Sequence, residues 1–320
     1  MKLTEADYKL LSYLYHHSRE SVSKIAKATE LTREQVEYRL KKYTDEGLIR
    51  GFFSLFDYGK FGYDYFVTVL LKFEKHSSTA KFSKGLVKHK NVISWGKVFG
   101  KYDLFMNCVF KDEKELSDFI SELLKDKENS VSDYFVVKPY FAELYPLKFV
   151  RYKDRDNYGL VDEKSKVRKF DENEKKILKI LANDGRVRLI DIAGKVGLSS
   201  ELVLYKLKKL YGNKVILGSR IQFDMSKLGY YFSLILLNVR NFDEANREKI
   251  KKFARQSEHV NSLILSLARP NCIIQLFHRE ESELRKSIEK IRELFSKEFV
   301  DIDIMLLGED EEGIDTLPFL

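Results

Sequence analysis

Cysteine, proline and tryptophan are scarce in these 320 residues, and each scarcity removes a class of explanation. The two cysteines, Cys108 and Cys272, both sit inside apolar runs. Buried free thiols are expected, and neither a disulfide framework nor a thiolate metal site is. The six histidines are scattered, and no HExxH or CxxC spacing occurs, so no metal is expected. No Ser/His/Asp, Cys/His or paired-carboxylate pattern stands out, which argues against an enzyme and against a cofactor. The longest apolar runs, such as 65–71 and 134–137, are strand-length and far short of a membrane span. The opening MKLTEADYKL enters an amphipathic pattern directly, with no apolar signal core. A soluble, cytoplasmic protein with no membrane partner is the expectation.

The chain does contain a repeat. Residues 3–66 and 170–233 align without a gap at an offset of 167, pairing Ile25/Ile192, Ala26/Ala193, Glu34/Glu201, Val36/Val203, Tyr38/Tyr205, Lys42/Lys209, Gly51/Gly218 and Gly62/Gly229. A repeat dictates the reading of everything else. The net charge of +8 is uneven: residues 1–60 and 61–150 carry +2 each, 151–230 carry +8, and 231–320 carry −4. The excess lies on the joining segment and the second copy, which suits a polyanionic partner or a merely lysine-rich surface.

Within the first copy, Leu3, Ala6, Leu10, Leu11 and Leu14 recur at helical spacing. SVSKIAKATEL predicts a short second helix, and Thr32 opens a third, with Gln35 at capping-box spacing and Gly47 as a stop. Ser199 is the matching cap in the second copy. A short helix, a tight turn and a longer helix predict a helix-turn-helix. The stretches 48–57 and 215–224 then read as β-hairpin wings. On the third helix Val36, Leu40 and Tyr43 form the inward stripe, leaving Tyr38, Lys41 and Lys42 opposite. Arginine and glutamine suit purine edges, and lysine and tyrosine suit phosphates. Candidate DNA contacts are therefore Thr32, Arg33, Gln35, Tyr38, Arg39 and Lys42, with Ser199, Ser200, Tyr205, Lys206 and Lys209 in the second copy. The duplicated tyrosine marks a shared contact or packs on the wing. Leu202 replaces Gln35, so the second head reads bases less, meets a thymine methyl, or is occluded by another domain.

After each head the pattern strand, helix, two strands, helix, strand predicts a βαββαβ ferredoxin-like sandwich. The first comprises 65–73, 79–90, 92–110, 112–126 and 131–144. The fold class is α+β, with two winged helix-turn-helix domains (1–62 and 170–229) alternating with two sandwiches (63–149 and 230–320), and a charged linker at 150–169. In LTEADYKLLSYL, IAKATELTREQVEYRLKKYTDEGLIRG, FDYGKFG and the GKYD turn, each half of the chain resembles the Lrp/AsnC family of feast/famine transcription regulators. The resemblance implies RAM-type sandwiches that dimerise, double-stranded DNA as partner, and an amino acid or related small-molecule effector beside a G-x-x-D turn, here Gly100, Lys101, Tyr102 and Asp103. The second half has Ala268, Arg269, Pro270 and Asn271 there, so any effector is expected at the first half, or the turn holds no ligand. The family's chains carry one head. Fusion implies an intramolecular pseudo-dimer of unequal halves, free to assemble further. The architecture also resembles that of the siroheme decarboxylases, an alternative enzymatic reading, and heads that bind protein are a third.

Overall fold

The computed structural model describes residues 3–74, 82, 89–125, 131–148, 158–159, 165–308 and 314–320. The first half comprises α1 (Glu5–His17), α2 (Val22–Thr29), α3 (Arg33–Asp45), β1 (Ile49–Phe56), β2 (Tyr65–Phe73), β3 (Val92–Phe99), β4 (Leu104–Phe110), α4 (Glu113–Lys125), β5 (Val131–Val137) and β6 (Pro139–Leu144). A two-residue strand, β7 (Tyr158–Gly159), precedes the second half. That half comprises α5 (Glu172–Asn183), α6 (Leu189–Val196), α7 (Ser200–Gly212), β8 (Ile216–Phe223), β9 (Tyr231–Val239), α8 (Glu244–Gln256), β10 (Val260–Ser266), β11 (Cys272–His278), α9 (Glu281–Leu294) and β12 (Val300–Leu307). Of the helix expected over 79–90 only Phe82, which is helical, and His89 and Lys90, which are not, are described; the rest of it, most of the linker and the acidic residues Glu309, Asp310, Glu311 and Glu312 lie outside the described residues.

Local chemistry sets the helix starts. Thr32 and Gln35 close the expected capping box, with Thr32 N donating to Gln35 Oε1 at 3.0 Å and Gln35 N to Thr32 Oγ1 at 3.2 Å. The same reciprocal pair forms at Thr4/Asp7 on α1 and at Asp171/Glu174 on α5. After α3 the chain turns through Gly47 at φ +65°; in the second copy Lys214 takes the same left-handed conformation at φ +53°.

The wings are not hairpins. Each is one strand, and the partner of β1 is β8 of the other head, antiparallel over Gly51↔Gln222 to Leu55↔Gly218. Gly218-Ser219 could turn a hairpin within ILGSRIQF, but both residues stay in the extended strand, paired with Leu55 and Ser54 of the other head. Phe53 faces Arg220, its own equivalent at offset 167, so a pseudo-twofold axis passes between them. Each head is completed by the other's strand. Ile221 and Phe223 of β8 join the α1–α3 core, while Phe56 of β1 joins the α5–α7 core.

The sandwiches follow the same symmetry. Their strands run β5-β2-β4-β3 and β12-β9-β11-β10, equivalent orders that are joined through β3 and β12. The expected single closing strand 131–144 is broken at Lys138–Pro139. β5 pairs with β2 of its own half, and β6 crosses to β10 of the other. Proline cannot donate to a ladder, so the change of partner falls where a hydrogen bond is absent in any case. The pair Pro139↔Ser266 matches Leu306↔Phe99 on shifting each half by 167. Side chains of both sandwiches share one core, including Leu70, Val98, Tyr102, Val137, Leu234, Ile264, Ile273 and Met305. The halves therefore pair within one chain.

Candidate nucleic-acid interface

The inward stripe buries α3 through Val36 and Tyr43, and Leu40 packs beside them. What remains outside is the candidate surface. Thr32, Arg33 and Gln35 are exposed, Lys42 is half-buried, and Tyr38 is 66 % exposed. On α7, Ser199 and Lys209 are exposed, Ser200 is half-buried, and Tyr205 is 62 % exposed. The two tyrosines thus occupy matching outward positions. Thr32 and Ser199 face the helix N-termini, where free backbone N–H groups and the helix dipole favour an anion such as a DNA phosphate. Both hydroxyls serve first as caps; Ser199 Oγ accepts from Leu202 N at 3.3 Å.

Two of the expected contacts have other partners. Arg39 Nε donates to Asp7 Oδ1 at 3.0 Å, and Tyr43 Oη donates to the same oxygen at 2.5 Å. Burial alone would raise the Asp7 carboxyl, but hydrogen bonds from Thr4, Tyr43 and Arg39 outweigh it and hold the group below its ordinary value. Lys206, the equivalent of Arg39, donates to Asp171 Oδ2 at 2.6 Å, and its side chain is only 15 % exposed. In both heads this position ties the third helix to the start of the first. Gln35 is partly committed as well, because its Oε1 closes the capping box and leaves the amide nitrogen as its outward donor.

Leu202 is 41 % exposed, so the possibility that a neighbouring domain covers the second helix at this point does not hold. Leu204 beside it is 43 % exposed. The outward residues of α7 are therefore more apolar than those of α3, where Gln35 and Glu37 stand at the same places.

The residues that fix one head against the other were not among those expected. Arg19 Nη1 donates to Gly185 O at 2.6 Å and to Val187 O at 3.1 Å. Arg186, its equivalent, donates through Nη1 to Ser18 O, with Glu20 O at 3.5 Å. Each guanidinium thus fills acceptors in the turn after the other head's first helix, and the four acceptors are themselves 167 apart. Arg19 N also donates to Ser219 Oγ on β8, and Gly185 N donates to Phe52 O on β1. A side chain at Gly185 would meet the Phe53 backbone at 2.8 Å, so only glycine allows this approach. Burial depresses both arginines below their ordinary value. The signal was available in the sequence, since the same arginine recurs at offset 167 in a stretch with little other identity.

The Gly100–Asp103 turn lies at the seam between the halves. Gly100 has φ +140°, and a Cβ there would meet Ile304 O at 3.0 Å. Lys101 Nζ reaches Asp303 Oδ2 of the second half at 3.0 Å. Tyr102 is buried in the shared core. Asp103 Oδ1 accepts from Lys72 Nζ at 2.9 Å and Oδ2 from Phe73 N at 2.9 Å. The four residues stay together, but their charged groups are already engaged, Asp103 by β2 of its own half and Lys101 by Asp303 of the other.

A winged helix-turn-helix DNA-binding family model matches residues 3–50 and 170–212, and an Lrp/AsnC ligand binding domain model matches 65–143. The DNA-binding transcriptional activator DecR of Escherichia coli K12 is 30 % identical over 142 residues, 44 % of this chain and 91 % of that protein. The chain belongs to the Lrp/AsnC family. An uncharacterised HTH-type transcriptional regulator of Pyrococcus furiosus is 27 % identical over 124 residues, 39 % of this chain and 83 % of its own. Relatives of this size match about one half, which fits a duplicated unit in this member of the family. Among solved structures, the siroheme decarboxylase NirDL superposes with a TM-score of 0.64 at 15 % identity, over 99 % of this chain and 96 % of that one. This likeness shows that the whole two-unit fold recurs. Among the described residues no helix is long and apolar enough to cross a membrane.

Proposed function

We propose that this Lrp/AsnC member is a sequence-specific, double-stranded-DNA-binding transcription regulator, cytoplasmic, in which one chain acts as a pseudo-dimer. The observation that carries the reading is the pair of capped helices α3 and α7, each with an exposed tyrosine at the same position, related by the axis between β1 and β8. A twofold pair of outward helices suits two half-sites of a duplex. On this reading Thr32, Arg33, Gln35, Tyr38 and Lys42 contact one half-site, and Ser199, Ser200, Tyr205 and Lys209 the other. Arg39 and Lys206 act at one remove, by positioning the helices. An amino-acid or related effector would act at the seam around Gly100–Asp103. Its binding would meet the Lys101–Asp303 pair, one of the links between the halves at that point.

Selection of bound duplexes from a random pool tests the reading. Enrichment of a motif with two half-sites about one helical turn apart supports it; a pool that stays random after repeated rounds sinks it.

The likeness to NirDL favours one other reading, an enzyme acting on a tetrapyrrole. In the sandwiches, His89 lies in the first, while His259 and His278 stand at one end of the second, where His278 Nε2 is already bonded to Ser233 Oγ at 2.8 Å. Iron porphyrin titrated into the purified chain separates the two readings. Tight binding with a shifted visible band supports the enzyme, and an unshifted spectrum with retained duplex binding supports the regulator.

A further inference from the structure

The third helices of the two heads differ at their third residue, Gln35 against Leu202. Of the four long head helices, α1, α3 and α5 each place Asp7, Gln35 or Glu174 at this position and close a capping box. In α7 the position is Leu202, so Ser199 caps the helix but its own N–H gains no side-chain partner in return. The exchange forgoes one local hydrogen bond and leaves a leucine 41 % exposed. A single exposed leucine is ordinary by itself; what gives this one meaning is its place in the first turn of the outward helix.

The neighbours say what that surface meets. Leu202, Tyr205 and Lys209 follow at i, i+3 and i+7, which places them along one side of α7. The apolar residue stands at the entry end, beside the N-terminal N–H groups. Lysines continue the helix, with Lys208 and Lys209 both exposed. An apolar tip followed by cations fits the floor and the wall of a major groove, where the thymine C5-methyl is the apolar mark and phosphates line the edge. A protein groove would favour further apolar residues where these lysines stand.

We infer that Leu202, with Tyr205 beside it, reads thymine methyl groups, so that the operator has two unlike halves, one read by hydrogen bonds from α3 and one by apolar contact from α7. This rests on the DNA-binding reading and adds the base class that the second head selects.

The experiment uses the full chain and the duplex enriched from a random pool. Deoxyuridine replaces thymidine in one half-site at a time, which removes the methyl group and leaves pairing intact. Loss of one buried methyl-sized group predicts about a fourfold fall in affinity per contacted thymine, confined to one half-site. In Leu202→Gln that sensitivity should vanish, and the helix should keep its fold because glutamine at this position closes the box in α3. The inference is overturned by an enriched half-site without thymine, by equal affinity for the uracil duplexes, or by uracil sensitivity that survives Leu202→Gln. A pool that yields no motif defeats the regulator reading itself. A motif unaffected by Leu202→Gln, together with lost self-association of that variant, would assign the surface to a second copy of the chain instead.

Discussion

At the scale of single residues, the carboxylate of Asp7 is the most informative group. It accepts from Arg39, Tyr43 and Thr4 together, so Asp7→Asn, which keeps one acceptor oxygen but loses the charge and the oxygen that faces Thr4, should destabilise the first head by about 1–3 kcal/mol. Its carboxyl titrates below the ordinary value of 3.8 in the folded chain. The stability it contributes is therefore complete above about pH 4 and drains away as pH falls through the lower folded value. Thermal melts of wild type and Asp7→Asn should converge below that pH; a gap that stays constant would contradict the assignment. Lys214 makes a second case, because a non-glycine residue at φ +53° carries strain. Lys214→Gly should raise stability by about 0.5–1 kcal/mol in denaturant titrations. How far such roles were legible differed by residue. The cap at Thr32 and Gln35 was visible because its two partners are three residues apart. Arg39 and Lys206 read as DNA contacts because their acids, Asp7 and Asp171, are more than thirty residues away. A charge on an outward-leaning helix does not reveal whether protein has already neutralised it.

At the scale of elements, period-two patterning identified each strand but not its partner. β1 and β8 lie about 165 residues apart in sequence, and alternation specifies which face is buried, not what lies alongside. The same gap hid the division of 131–144 into β5 and β6, although Pro139 marked the place. The seam they create has a consequence for motion. Arg19 and Arg186 each satisfy carbonyls of the opposite head, so α3 and α7 should keep one separation. Spin labels at Glu34→Cys and Glu201→Cys, equivalent and exposed, measure this. The native Cys108 and Cys272 are buried and their thiols are pushed up by that burial, so they should stay unlabelled in the folded chain. A narrow distance distribution is expected, broadening in Arg19→Ala/Arg186→Ala; equal widths would remove the arginines from this role.

At the scale of the whole molecule, the repeat offset explains the architecture. The strand pair between heads, the arginine pair and the Pro139/Leu306 crossings all obey the same shift of 167, so two sequence copies have become two halves of one pseudo-symmetric body. The sequence pattern revealed the copies and the order of head and sandwich. It did not reveal that each half would lend strands to the other, which depends on contacts across the chain. The copies have since diverged where they face outward, at Gln35 against Leu202 and at Gly100 against Ala268, while the inward stripe of the third helix stays apolar, with Val36 and Leu40 repeated as Val203 and Leu207 and Tyr43 replaced by Leu210. On the proposed function, one chain grips two half-sites of one duplex. The most direct test is a titration of the selected duplex with the full chain at several salt concentrations, with footprinting at saturation. The account predicts one chain per duplex, two protected stretches, and log affinity falling linearly with log salt at a slope of about −0.9 per phosphate contacted. A flat salt response, or one chain protecting a single stretch, would contradict it.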